Sequence, residues 1–221
     1  MSRFLCFKLW FALSTFALLA ACAQPVKHAD YTAFKNSQPH SILVLPPENE
    51  TTDVQATNSM LSQMTMPLAE SGYYVVPVAV MDETFRQNGL TVAADIQATS
   101  PAKLREIFGA DAVLYSKITQ FGTSYRVLAS ATVVTASAKL VDLKTGDVLW
   151  QGSATANSNE GNNYGGAGLV SMLVAAAVQQ IADSLTDRSH DMAAVTSYRL
   201  LHAGPPNGLL FGPRSPKFGT D

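Results

Sequence analysis

The chain has 221 residues, of which 47% are hydrophobic and only 14% charged, against roughly 25% charged in an average soluble protein. Removing Arg3 and Lys8 from the 15 basic residues leaves 13 against 17 acidic, a net charge of −4. No basic stripe is present to neutralise phosphates, which excludes nucleic-acid binding, while the apolar content is ample for one large core and the low charge favours a surface that meets other proteins.

Arg3 and Lys8 make a short basic start. Residues 9–21 follow as an apolar run broken only by Ser14 and Thr15. A helix needs about 20 apolar residues to cross a bilayer, so this run is a secretory signal rather than a span. It ends in Leu19-Ala20-Ala21-Cys22, which resembles the bacterial lipobox. Small side chains before the cysteine let a peptidase reach the backbone. The thiol supplies a nucleophile that a serine would not match. Cleavage is therefore expected between Ala21 and Cys22, with 1–21 removed and Cys22 carrying the lipid (diacylglycerol, palmitate among its chains). Two or more chains anchor stably, where one binds only marginally. The plain alternative is an ordinary secretory peptide, with Cys22 a stray thiol. By resemblance to lipoproteins of two-membrane bacteria, Ala23 in place of an aspartate implies the outer membrane, at its periplasmic face or at the cell surface. The second cysteine, Cys6, leaves with the signal, so the mature chain has no disulfide.

Residues 22–40 hold the lipidated cysteine and a polar tether, of about 55 Å at most when extended. The domain is expected over 41–202. Residues 42–45 (ILVL) form an unbroken apolar run ended by Pro46-Pro47, a strand buried on both faces. Thr51, Thr52 and Asp53 offer N-caps for a helix over 54–71. Pro67 should kink it or start a separate last turn, and Gly72 ends it. Residues 73–77 read as the second strand and 78–88 as a helix closed by Gly89. Ser100-Pro101 starts another helix, with Leu104, Ile107 and Phe108 on one face and Gly109 at its end. A third strand runs over 112–121. A short link, Gly122-Thr123-Ser124, leads to a long β-branched strand over 125–143. Thr145-Gly146 turns the chain into a last strand through Trp150 to residue 156. Residues 157–168 are a Gly/Asn loop, and 169–185 a strongly apolar helix. The order βα-βαα-β-β-β-α predicts an α/β fold: a mixed sheet with helices packed on it in two or three layers.

The tail, residues 203–221, holds four of the eleven prolines and four of the fourteen glycines, so it is irregular. Leu209, Leu210, Phe211 and Phe218 are too apolar for a solvated tail. They are expected to lie against the domain or a partner.

Candidate sites are few. Glu48, Glu50 and Asp53 follow the first strand, where open α/β sheets carry sites. They offer a weak cation or partner site, or simply favour the N-terminus of the next helix. Gly161 to Gly168 lacks the phosphate-loop and dinucleotide spacings. In the apolar helix Ser171 and Ala175 are small enough for a close helix pairing, which a homodimer would use. His28, His40, His190 and His202 fall in no metal spacing, and solvated or capping roles fit all four. No nucleophile–base motif occurs. The expectation is a non-enzyme with no cofactor and no metal.

Residues 42–53 (ILVLPPENETTD), 67–78 (PLAESGYYVVPV), 104–115 (LREIFGADAVLY), 140–150 (LVDLKTGDVLW) and 206–216 (PNGLLFGPRSP) carry a wider likeness. Together they resemble a family of bacterial outer-membrane lipoproteins of unknown function, whose best-known member is a meningococcal surface antigen. The order of elements is similar to the TolB N-terminal domain, of anticodon-binding-like topology, and to the periplasmic domain of the curli-secretion lipoprotein. That resemblance implies a non-enzymatic accessory or scaffold subunit in envelope assembly, secretion or transport. Its partners would be other envelope lipoproteins, a curli-channel-like one among them, besides the membrane. The curli channel inserts long pore hairpins, and the short link at 122–124 and the polar loop at 157–168 leave no room for them. Two alternatives are an activator of a cell-wall synthase, which would need a longer arm, and a periplasmic hydrolase.

Overall fold

A computed structural model of the chain describes residues 29–126, 129–158, 160 and 188–220. The expected signal, Cys22 and the apolar helix over 169–185 lie outside these residues, as do Ala21, Ser171, Ala175 and His28.

The described residues begin with a short helix, α1 (Thr32–Ser37). Strand β1 (Ser41–Val44) and the two-residue β2 (Glu48–Asn49) follow, then helix α2 (Ala56–Glu70) and β3 (Tyr74–Val75). Three helices come next: α3 (Val78–Gln87), α4 (Ala93–Gln97) and α5 (Pro101–Phe108). The long strands β4 (Ala112–Arg126), β5 (Ala129–Asp142) and β6 (Val148–Asn157) lead to α6 (Arg188–Leu201). One mixed sheet contains all six strands in the order β3-β1-β4-β5-β6, with β2 beside β4. The mixed α/β expectation holds.

The unbroken apolar run explains the place of β1. It pairs in parallel with β3 on one side and β4 on the other, and Ile42, Leu43 and Val44 are fully buried. Asp111 fixes its start: one carboxylate oxygen accepts from the backbone N–H groups of His40 and Ser41, at 3.0 Å each, and from the Ser41 hydroxyl at 2.9 Å. Parallel crossovers are right-handed. The β1–α2–β3 and β3–α3/α4/α5–β4 connections cross the sheet in opposite senses, so their helices cover opposite faces. Val113 and Leu114, on the two faces of β4, are both fully buried. Beyond them the second face opens. The described residues form three layers around β1 and two around β4–β6.

Several local expectations change. The residue before α2 is Gln55, without a side-chain cap. Asp53 acts one step earlier, its carboxylate accepting from the Gln55 N–H at 2.8 Å. Pro67 neither splits nor restarts α2, which runs through it as one helix. The Ser71 hydroxyl and N–H both bond to the Pro67 carbonyl, closing the last turn. Ser100 caps α5 as read, through the Lys103 N–H, and Gly109 ends it with φ +64°. Leu104 is buried while Ile107 is exposed.

The link expected at Gly122-Thr123-Ser124 is strand. These residues pair with Val133, Thr132 and Ala131, and the chain reverses between Arg126 and Ala129. Their turn-like composition misled because a strand tolerates one glycine at positive φ, here Gly122 at +114°. From Gln120 to Arg126 seven residues of β4 pair with β5 past the last β2 pairing. A strand needs about 9–11 residues to cross a membrane.

Helix α6, absent from the sequence reading, completes the helical layer. It packs on α2, β5 and β6, with Val195, Leu200 and Leu201 buried and Thr196 donating to the Val134 carbonyl at 3.1 Å. The tether expectation shortens at its far end. Phe34 of α1 is 2% exposed, the Tyr31 hydroxyl donates to the Gly208 carbonyl at 2.6 Å and the Ser37 hydroxyl to Asp142. Apolar and hydrogen-bonding side chains at 31–37 dock what composition marked as linker. The tail is irregular and lies on the domain: Leu209 is buried, and the Gly212 N–H bonds to the Ser71 carbonyl. Phe218, by contrast, is 46% exposed.

Candidate functional site

The face of β4–β6 that no described helix covers forms the floor of a groove of about 630 Å³. Alternation along the strands builds it. Leu114, Ser116 and Ile118 point into the helical layer, so Tyr115 and Lys117 point out; Ser137 and Lys139 on β5 and Gln151 and Ser153 on β6 stand beside them. Gln97 of α4 forms one wall, its amide donating to the Pro46 and Ser116 carbonyls at 2.8 Å each.

Charge in this groove is matched locally. Lys117 Nζ lies 2.9 Å from Glu50 and 3.4 Å from Glu48. Hydrogen bonds that the ammonium donates to those carboxylates, Glu50 foremost, raise the lysine above its ordinary range and keep it charged. Lys139 Nζ stands 5.0 Å from the centre of the Tyr115 ring. Burial pushes the Tyr115 phenol up, so it stays protonated. Of the three acids singled out in sequence, Glu48 and Glu50 therefore come together around an ammonium, and Asp53 turns to the start of α2. Among the described residues no three His, Cys, Asp or Glu side chains are grouped to hold a metal.

A second groove, of about 560 Å³, runs along β6 between that strand, α6 and the tail. Its upper wall is Trp150, Gln151, Gly152 and Ser153; opposite stand Tyr198, Arg199 and His202, with Phe211 and Lys217 from the tail. Gly152 is needed here: a Cβ would sit 2.5 Å from the Trp150 ring. The indole instead donates to the Asn207 carbonyl at 3.0 Å and anchors the tail loop. Burial lowers His202 below its usual range, with Lys217 adding to the effect and Glu70 opposing it.

The histidines divide. His190 is held between two α2 side chains, Nδ1 at 2.6 Å from Ser59 Oγ and Nε2 at 2.7 Å from the Gln63 amide nitrogen. Both ring nitrogens are thus engaged by α2 side chains, and the imidazole clips α6 to α2. Sequence spacing gave no hint of this, since 131 residues separate Ser59 from His190. Lys117 and Lys139 were legible as outward positions in alternating strands, yet no charge motif marks them.

These features meet in an open mixed sheet whose polar face and last edge are uncovered among the described residues, with residues 29–37 docked on the tail and domain. The model of the GNA1162-like family, described as "Putative lipoprotein GNA1162-like", matches residues 29–214, and the chain belongs to that family. It is 51% identical over 203 residues to "Putative lipoprotein NMB1124/NMB1162" of Neisseria meningitidis serogroup B, covering 91% of this chain and 94% of that relative. The crystal structure of lipoprotein GNA1162 from Neisseria meningitidis is 54% identical, with a TM-score of 0.52 over 66% of this chain and all of that one. The PelC dodecamer from Paraburkholderia phytofirmans is 16% identical, with a TM-score of 0.43 over 75% of this chain and 91% of that one; likeness at that level carries no argument about role or assembly. The family resemblance read from the sequence is borne out.

Proposed function

We propose that the chain is anchored to the outer membrane through acyl chains on Cys22 and serves as a non-enzymatic accessory or scaffold subunit in envelope assembly, secretion or transport. Membership of a lipoprotein family supports the anchor. The observation that carries the rest is the docking of residues 29–37. The Ala29 N–H bonds to Asn207 at 3.1 Å and the Tyr31 hydroxyl to Gly208. Only residues 23–28 then separate Cys22 from the folded body, a reach of about 25 Å at most. The domain is held close to its leaflet, with the tail loop on the membrane side and the polar face of β4–β6 free for a partner.

The same short reach weighs against a synthase activator that must cross the periplasm. The hydrolase reading loses its foothold, because Glu48 and Glu50 are tied to Lys117. Cross-linking in cells followed by affinity purification of the acylated protein from membranes tests the proposal. Envelope lipoproteins or a secretion channel should be recovered with it. Recovery of the chain alone, or of cell-wall synthases, would contradict it.

A further inference from the structure

Strand β6 closes the sheet on one side, and its outward backbone groups follow from the register. The Ser158 N–H donates to the Thr132 carbonyl and the Thr132 N–H to the Ser158 hydroxyl, so these residues face one another as a hydrogen-bonded pair. Antiparallel pairs alternate between bonded and non-bonded. Counting along the register, Ala156, Ala154 and Gly152 bond to β5, while Thr155, Ser153 and Gln151 turn their N–H and C=O groups away from it. Arg199 confirms the direction, donating to the Thr155 carbonyl at 2.7 Å from the far side. That leaves the N–H groups of Gln151, Ser153 and Thr155, and the carbonyls of Gln151 and Ser153, unpaired among the described residues.

Open edges are usually blunted by lysine, proline or a bulge. From Val148 to Asn157 this edge carries no charge and no proline, and its register with β5 is regular from Asn157 to Trp150. The 560 Å³ groove lies directly against it. The charged side chains lining that groove are Arg199 and Lys217, beside the His202 imidazole, and no carboxylate lines it. Glu160 pairs with Arg199 at 2.7 Å, and Glu70 acts on His202 from α2. Lys217, set 5.3 Å from the centre of the Phe211 ring, has no acidic partner in the described residues.

We infer that this edge and groove bind an extended peptide of a partner protein, which adds as a strand to β6 and sets an acidic side chain against Lys217. Backbone pairing supplies the affinity and the groove selects the side chain. The inference deepens the accessory-subunit reading by giving the partner's chemistry. Its test uses purified components, so its failure leaves the cellular pull-down outcome standing.

The probe is an acetylated, amidated eight-residue peptide alternating valine and threonine around one aspartate, titrated against the full mature chain in detergent micelles and followed by Trp150 fluorescence. Binding is expected, and Ser153→Pro should weaken it by about tenfold or more through the lost N–H. Ser153→Ala should not. Proline is tolerated where the N–H faces away from the ladder, and a peptide N-methylated at alternate residues tests the same bonds without altering the protein. Lys217→Glu should reverse the preference for the aspartate peptide over its lysine counterpart. Absence of binding, equal binding by Ser153→Pro, or indifference to the peptide's charge would overturn the inference. So would a chain that self-associates through this edge, seen as a fall in mass on Ser153→Pro without peptide binding.

Discussion

The Trp150 indole and the Asn207 carbonyl, 3.0 Å apart, join the last strand of the sheet to the irregular tail. Trp150 is 5% exposed, so its indole N–H has this carbonyl as its partner in a partly buried place. Trp150→Phe should lower stability by about 1–2 kcal/mol, measured by urea unfolding followed by circular dichroism. An unchanged midpoint would show that the tail's other contacts hold it without this bond.

Gly72 makes the second attachment. Its φ is +98°, and a Cβ there would run into the Gly212 carbonyl oxygen and the Ser215 nitrogen. Gly72→Ala combines backbone strain with a clash against the tail and should cost about 2–3 kcal/mol. Limited proteolysis should then cut near residues 212–216, sites that the wild-type chain protects.

His202 ties stability to pH. Burial first, with Lys217, holds the imidazole below 6.5 in the folded chain, Glu70 opposing. The unfolded chain therefore binds the proton more readily. The stabilisation is complete above pH 6.5 and is lost as pH falls through the lowered native value. Unfolding midpoints should drop as pH falls below 6.5, and His202→Gln should flatten that slope. Equal slopes in the two chains would contradict the assignment.

The Ser59–His190–Gln63 contact is a clip between α2 and α6. His190→Ala should cost about 1–2 kcal/mol, and a double-mutant cycle with Ser59→Ala should give a coupling of about 0.5–1 kcal/mol. A fluorophosphonate reagent should leave Ser59 unlabelled, because the serine is buried between α2 and α6. Labelling would reopen the enzyme reading.

The parallel half of the fold was legible because its signals are local. The run at 42–45, the Ser100-Pro101 start and the glycines at 72, 89 and 109 each fix an element without distant help. The misreadings came from residues whose role is set elsewhere in space. Gly122 and its neighbours look like a turn, yet pairing with 131–133 makes them strand. Residues 31–37 look like linker until Phe34 and Tyr31 meet the domain and the tail. Helix α6 did carry a signal, since Met192, Val195, Thr196 and Leu200 recur at helical spacing. The more apolar run before it drew the helix reading away. At the site, Glu48 and Glu50 were visible as acids, but Lys117, which neutralises them, lies 67 residues beyond Glu50.

Anchoring through Cys22 is tested most directly by the intact mass of the chain extracted from membranes. The expected species begins at Cys22 and is heavier than its sequence by a diacylglyceryl group and an acyl chain. A bare thiol at position 22, or a chain still carrying residues 1–21, would contradict it.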